Sequence, residues 1–280
     1  MPELPEVETI RQSLTSLVVG RSFRSVRRYR QDIIHHDRRP VALLQGHLIS
    51  EIRRHGKELA LVGDDTHSER CAIVHLGMSG SLLFQKPGIV RGTSLPTHTH
   101  VTWSLDDGSR ILFRDPRRFG GIWTFPSLTT LWDSRWRFRG PDALVATSAK
   151  LYENLSHTRR AIKTTLLDQS VVAGLGNIYT DELLFDCQLH PLLPANRLSI
   201  NTVRHLVRRL RALLRRAIAD GGSSTRDYVH PNGQKGQFSQ RHAVYGCGGM
   251  PCPRCTRRLQ TIQLSGRGTT FCSRCQRVRT

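Results

Sequence analysis

The feature that most constrains this chain is a spacing of cysteines near its end, Cys252-x2-Cys255-x16-Cys272-x2-Cys275. Two close pairs joined by a hairpin bring four thiolates to the corners of a tetrahedron, the arrangement that holds one structural Zn2+. The same residues could form two disulfides. The chain opens on MPELPEVE, however, which is acidic and has no apolar run behind it, so it reads as cytosolic without a signal peptide. From residue 241 to the end there are eight arginines and no Asp or Glu. Even with four thiolates around a divalent ion, this segment keeps a charge of about +6. It is too short to build much of a core, so the metal is expected to fold it.

The basic excess extends over the whole chain. Its 280 residues carry 42 Lys+Arg against 22 Asp+Glu, a net charge of +20. Hydrophobic residues make up 38%, enough for real cores, which excludes a disordered basic tail. No stretch approaches the ~18 consecutive apolar residues of a membrane span. No basic amphipathic anchor is evident either, so no membrane partner is expected. Nucleic acid is the default partner of such a surface. A blander reading stands beside it: 37 of the 42 basic residues are arginine, a skew that composition alone can produce.

Periodicity divides the chain. Val7, Ile10, Leu14 and Leu17 fall at helical spacing and end at Gly20. Short alternating runs follow to about residue 125, such as Leu59/Leu61, Cys71–Val74 and Val101/Trp103/Leu105. A helix on a two-layer sheet buries both patterns, giving a domain over 1–125. Residues 126–140 read as a linker. Residues 141–240 read as helical, with short helices around Leu151/Leu155, Ile162/Leu166 and Ile178/Leu183, and a longer one from Val203 to Leu214. The arginines between Arg204 and Arg216 are more simply a solvated face than a DNA reader. Residues 221–240 read as a loop and 241–280 as the zinc hairpin. The fold class is therefore α+β, with a helical domain and a metal ribbon.

The first residues also carry chemistry. Initiator Met is commonly removed before proline, which would free the Pro2 nitrogen. A terminal amine has a reference pKa of about 7.7–8, so part of it is unprotonated at neutral pH and can attack an aldehyde-like carbon. Glu3 adjoins it for acid/base work. Proline followed by acids is equally an ordinary helix start, and on these residues alone that reading is the stronger.

Five motifs, in order along the chain, change the weight. MPELPEVETIRQSL, HLGMSGSL (75–82), DPRRFG (115–120), GLGNIYTDELLF (174–185) and the four-cysteine ribbon together resemble the bacterial formamidopyrimidine-DNA glycosylases. The resemblance runs from residue 1 to about 276. It implies a β-sandwich domain, a helix–two-turn–helix domain and a zinc hairpin. It also implies a cytoplasmic, nucleoid-associated monomer that excises oxidised bases from double-stranded DNA and then cleaves the strand, with no organic cofactor. By position, it makes Pro2 the nucleophile at C1′, Glu3 its acid/base partner and Lys57 a proton donor and phosphate contact. Arg267 becomes the hairpin-tip arginine. Met78, Arg117 and Phe119 fill the hole left by a flipped nucleotide. His75, His98, Arg160, Lys163 and Asn177 face DNA phosphates, with Asn177 read as the N-cap of its helix. Residues 221–240 cap the flipped base. Cys252, Cys255, Cys272 and Cys275 ligate the metal.

The chain departs from the family pattern in two places. It reads His98-Thr99-His100-Val101 where His-Asp-His-Val is common, and Tyr245-Gly246-Cys247 where Tyr-Gly-Arg is common. These leave lesion preference open. A sister enzyme for oxidised pyrimidines and a non-catalytic DNA-binding zinc protein remain as alternatives; Pro2, Glu3 and Lys57 argue against the second.

Overall fold

The computed structural model describes residues 1–65, 68–88, 95–223, 231 and 236–277. They form two compact units, Met1–Arg137 with Asp220–Gln237, and Phe138–Ala219 with Phe238–Thr280. Among the described residues no helix is long and apolar enough to cross a membrane.

The first unit begins with α1 (Leu4–Val18), with Pro5 in its first turn. Its buried stripe of Val7, Ile10, Leu14 and Val18 packs into the main core, while Leu17 is only partly covered. Among the described residues nine strands follow: β1 (Phe23–Arg28), β2 (Ile34–His35), β3 (Leu48–His55), β4 (Glu58–Asp64), β5 (Glu69–His75), β6 (Ser81–Gln85), β7 (Thr99–Leu105), β8 (Arg110–Arg114) and β9 (Gly121–Phe125). They make one sheet of order β1-β7-β8-β6 and another of order β2-β9-β5-β4-β3. Val26, Trp103 and Phe113 from the first sheet meet Ile52, Leu61 and Val74 from the second in one core. This is the two-layer sheet with a packed helix that the sequence pattern implies.

The middle strands explain the segment read as a linker. Successive residues of a strand face opposite sides. On β4 and β5, Leu59, Leu61, Ala72 and Val74 face the main core, and Ala60, Val62, Cys71 and Ile73 face away from it. That second apolar face needs a cover. It is supplied by α2 (Leu128–Ser134), whose N-cap Ser127 accepts from Thr130 N at 3.0 Å, and by Trp136 beyond it. Leu131 and Trp136 close this smaller core. Residues 126–140 therefore include a packed helix.

The second unit holds α3 (Ser148–Ser156), α4 (Ile162–Leu167), α5 (Asn177–Asp186), α6 (Ile200–Ala219), β10 (Gln260–Leu264) and β11 (Arg267–Phe271). Helix α6 buries Val203, Leu206, Val207, Leu210, Leu213, Leu214 and Ala217 and leaves Arg204, Arg208, Arg215 and Arg216 exposed. Helix α5 is buried nearly all round, from Ile178 to Phe185. It is the post on which the metal ribbon is mounted. The base-capping loop expected at 221–240 lies largely outside the described residues, which there comprise 221–223, 231 and 236–240.

Candidate active site and nucleic-acid interface

In the first unit, Pro2 and Glu3 lie buried at the start of α1. Glu3 is the N-cap residue. Its backbone N–H donates to Glu6 Oε2 at 2.7 Å, and the other Glu6 oxygen accepts from Ser223 N at 2.7 Å. One carboxylate thus fixes both the backbone beside Pro2 and residue 223. The approach is close: a Cβ on Gly222 would stand 2.8 Å from Glu6 Oε1.

Lys57 occupies the two-residue turn between β3 and β4, where His55 pairs with Glu58 and Gly56 takes φ 59°. The turn is tied to α1 by charge. Buried Arg54 donates from Nε to Glu8 Oε2 at 2.8 Å and from Nη1 to Gly56 O at 3.0 Å. Burial disfavours ionised Glu8, but hydrogen bonds and charge from Arg11 and Arg54 outweigh it and hold the carboxyl below the ordinary glutamate range. On the other side, Glu58 accepts from Arg135 at 2.8 and 3.0 Å and from Trp136 Nε1 at 3.0 Å. Lys57 itself is only 8% exposed. A lysine on so fixed a turn has little freedom left to lose on meeting a substrate.

Met78 and Phe119 are large apolar side chains held out in water, 42% and 56% exposed. That rules out core packing for Met78, the simpler reading of a methionine beside a strand. The exposed Arg117 guanidinium lies 4.7 Å from the Phe119 ring centroid. His75 ends β5, and its Nδ1 accepts from Gly77 N at 3.2 Å. His98 is exposed at φ 65°, with its carbonyl taking Asp115 N at 3.1 Å. At the neighbouring departure from the family pattern, Thr99 donates to Pro96 O at 2.6 Å, closing that turn.

In the second unit, Arg267 is exposed at the tip of the β10–β11 hairpin. The turn residues Ser265 and Gly266 take φ 51° and 70°, the signs a tight two-residue hairpin requires. The other basic positions differ from expectation. Lys163 is fully buried, with Nζ 2.6 Å from Asp181 Oδ1 and 3.1 Å from Gly268 O. An ammonium with no exposed surface does not meet a phosphate, so its reading as a DNA contact is corrected. Asn177 is likewise not the N-cap. Gly176 is, and Asn177 is the first residue of α5, with Nδ2 donating to Gly268 O at 2.9 Å. Both side chains hold the carbonyl next to Arg267. Asp181 adds a bond from Thr270 N at 3.2 Å, and burial pushes its carboxyl up to about 6 against the opposing charge of Lys163. Arg160 is half exposed and shares its guanidinium with Asp168 at 2.9 Å.

The four cysteine Sγ atoms lie within 4.8 Å of one another, with Cys255–Cys272 at 3.5 Å and Cys252–Cys275 at 3.9 Å. Thiolates ~2.3 Å from a shared ion would stand roughly 3.8 Å apart, whereas a disulfide would hold them at about 2 Å. The donor set fits one tetrahedral Zn2+ and excludes the disulfide alternative. Cys247 is not among the ligands; it packs beside them, Sγ 3.6 Å from Tyr245 O.

Sequence reasoning missed the acids that organise these parts. Glu182 on α5 accepts from the N–H groups of Ala243, Val244 and Tyr245 at 2.8–3.1 Å. Asp186 pairs with Arg209 at 2.6 Å and Arg254 at 3.1 Å. Both follow Asn177 within the GLGNIYTDELLFD run, where regular spacing along a helix was the only available signal.

Comparison with known proteins agrees with this geometry. Residues 1–122 match the formamidopyrimidine-DNA glycosylase N-terminal domain, 139–229 its H2TH domain, and 249–278 the zinc finger found in FPG and IleRS. The chain is 39% identical to the formamidopyrimidine-DNA glycosylase of Bacillus subtilis (strain 168), over 99% of each. It is similar to the solved MutM (Fpg) protein of Thermus thermophilus, at TM-score 0.85 and 36% identity over 98% of both chains. It is also similar to a Lactococcus lactis Fpg mutant solved with Fapy-dG-containing DNA, at TM-score 0.86 and 31% identity over 98% of this chain and 99% of that one. From its N-terminal helix to its zinc ribbon, the chain belongs to the formamidopyrimidine-DNA glycosylase family.

Proposed function

We propose that this chain is a bifunctional DNA glycosylase/AP lyase that flips oxidised purines, 8-oxoguanine and formamidopyrimidines, out of duplex DNA and excises them. The observation that carries the reading is full-length similarity to enzymes named for that reaction, on a chain whose second residue is proline. With Met1 removed, the Pro2 lone pair attacks C1′ as the base departs with its bonding pair and takes a proton. The Pro2 nitrogen then sheds its own proton, and the C1′–O4′ bond breaks, O4′ taking a proton, to leave an iminium that links protein to the opened sugar. Glu3 serves proton transfer at the sugar, and Lys57 serves the β-elimination and a neighbouring phosphate. Met78, Arg117 and Phe119 enter the space the nucleotide leaves. Arg267, supported through Gly268 by Lys163 and Asn177, grips flanking phosphates and assists δ-elimination. His75, His98 and Arg160 add phosphate contacts. The net charge of +20 supplies the sequence-independent attraction that keeps the enzyme on a bacterial chromosome.

Product analysis on duplexes carrying 8-oxoguanine, formamidopyrimidine or an oxidised pyrimidine tests the reading, with borohydride present to trap the iminium. The two purine lesions are expected to give a trapped adduct and β,δ-products. Faster excision of the pyrimidine would assign the chain to the sister activity, and no adduct on any duplex would leave a binding protein.

Arg117→Ala is expected to weaken discrimination by the opposite base, at ~1–3 kcal/mol per lost contact. Excision rates measured opposite each of the four bases check this; an equal loss opposite all four contradicts a role in reading the partner base.

A further inference from the structure

Met78 and the Arg117/Phe119 pair stand on separate loops, yet to fill one hole they must arrive together. We infer that Asp115 is the positioning residue that locks these two loops into a single wedge, an inference that rests on the hole-filling role proposed above. Asp115 is fully buried. Its Oδ1 accepts from Ser79 Oγ at 2.6 Å and from Arg117 N at 3.3 Å, and its Oδ2 accepts from Gly120 N at 2.7 Å. Ser79 follows Met78 directly, while Arg117 and Gly120 flank the other loop. The Ser79 hydroxyl in turn accepts from Arg117 N at 3.2 Å, closing a triangle between the two segments.

A buried carboxylate is costly unless its oxygens are paired. The acids Glu8, Glu58, Asp181 and Asp186 each have a cationic partner. Asp115 has none among the described residues and is compensated by a hydroxyl and two backbone amides. Those donors are fixed points on the two loops, so Asp115 sets where the loops lie. Its own backbone is anchored in turn, with N donating to His98 O at 3.1 Å and O bonded to His100 Nε2 at 2.8 Å.

The loops also touch through glycine. A Cβ on Gly77 would stand 2.4 Å from Gly120 N and from the Phe119 carbonyl carbon. One on Gly120 would stand 2.5 Å from His75 O. Between them Arg118 takes the left-handed φ of 54°, with its N–H on Asp115 O at 3.3 Å, and this turn brings Arg117 and Phe119 side by side. Three exposed side chains on loose loops would each lose conformational freedom on entering the base stack. A wedge assembled beforehand avoids much of that cost.

The test uses the full-length zinc-loaded protein and two substrates of one sequence. One is an 8-oxoguanine·cytosine duplex; the other is a single strand with a preformed abasic site, which has no opposite base and no hole to fill. Asp115→Asn and, more mildly, Ser79→Ala are expected to lower the duplex-to-single-strand ratio of kcat/KM by about ten-fold, the scale of a lost hydrogen bond to a charged group. Both variants should also lose preference for cytosine opposite the lesion, the outcome expected of Arg117→Ala. In an Arg117→Ala background, Asp115→Asn should add less than roughly two-fold, because the two act through one element. An unchanged ratio, or losses that multiply fully in the double variant, overturns the inference. If Asp115→Asn does not fold, Ser79→Ala decides. Met78→Ala, Arg117→Ala and Phe119→Ala separate the two claims. If they lower the ratio and Asp115→Asn does not, the positioning role fails and the wedge stands. If none of the three lowers it, the wedge fails and this inference falls with it.

Discussion

Extending the chain ahead of Met1 with a tag that is never removed is expected to abolish the borohydride-trapped adduct. Strand cleavage should fall by at least about 10^4-fold, the scale of losing a nucleophile that acts as part of a unit, while duplex affinity changes little. The reason is electronic. An acylated proline nitrogen has given its lone pair to the amide and cannot form an iminium, whereas a terminal proline nitrogen, with a reference pKa of about 7.7–8, is partly free at neutral pH. The rest of the site is untouched by the tag, since Glu6, Arg54 and Glu8 keep their bonds to the helix and to the Lys57 turn. A C-terminally tagged chain with Met1 removed provides the active reference. Pro2→Gly is the graded variant. It keeps a terminal amine but loses the ring that aims it, so cleavage should fall by on the order of 10^2-fold, as misplacement of a reacting group costs. An adduct that persists in the extended chain would assign the chemistry to another amine, with Lys57 the first candidate.

Removal of zinc, by chelation or by Cys272→Ala, is expected to abolish amide-exchange protection across residues 249–277 and to weaken duplex binding by more than about 100-fold. The metal has no substitute here. The apolar cluster of the ribbon consists of Phe185, Val244, Cys252, Leu259 and Cys272, so two of its five buried members are themselves ligands. A two-stranded hairpin alone is marginal in water, and structural zinc typically contributes ~10–16 kcal/mol of apparent binding energy to such folds. Once the thiolates separate, the hairpin that presents Arg267 is left with its attachments to α4 and α5 and the packing of Phe271 on His190. Lys163, Asn177 and Asp181 would then hold a strand with no partner. Helices α3 and α6 should keep their protection, because they pack on each other and bury Leu151, Leu206 and Leu210. Exchange measured with and without chelator, beside a gel-shift titration, checks both parts. Full affinity in chelator would sink the claim that the ribbon is needed for DNA.

The two expectations also show what could be read from sequence and what could not. The cysteine spacing and the α1 stripe were legible because each depends on local repetition: thiolates at fixed offsets, apolar residues every three or four positions. The role proposed for Pro2 rests on resemblance alone, since its chemistry leaves no periodic trace. Lys163 was misread because a lysine among exposed-looking neighbours gives no sign of an acid eighteen residues later on the next helix. Asn177 was misread by one position, since a glycine can occupy an N-cap without offering a side chain. The covering helix α2 was missed because the need for it arises from β4 and β5 being apolar on both faces, a property of the assembled sheet.

The bond between Glu6 and Ser223 has a further consequence, one of timing. The first helix is completed by a residue 217 positions downstream. A ribosome adding about 5–20 residues per second needs roughly 10–40 seconds to travel from one to the other. For most of that interval the N-terminal end of the nascent chain is outside the tunnel while Glu6 still lacks its bond to Ser223. The unit that holds this helix is also interrupted in sequence, taking its last piece from Asp220–Gln237. Its final ordering is thereby deferred until Asp220–Gln237 has been made.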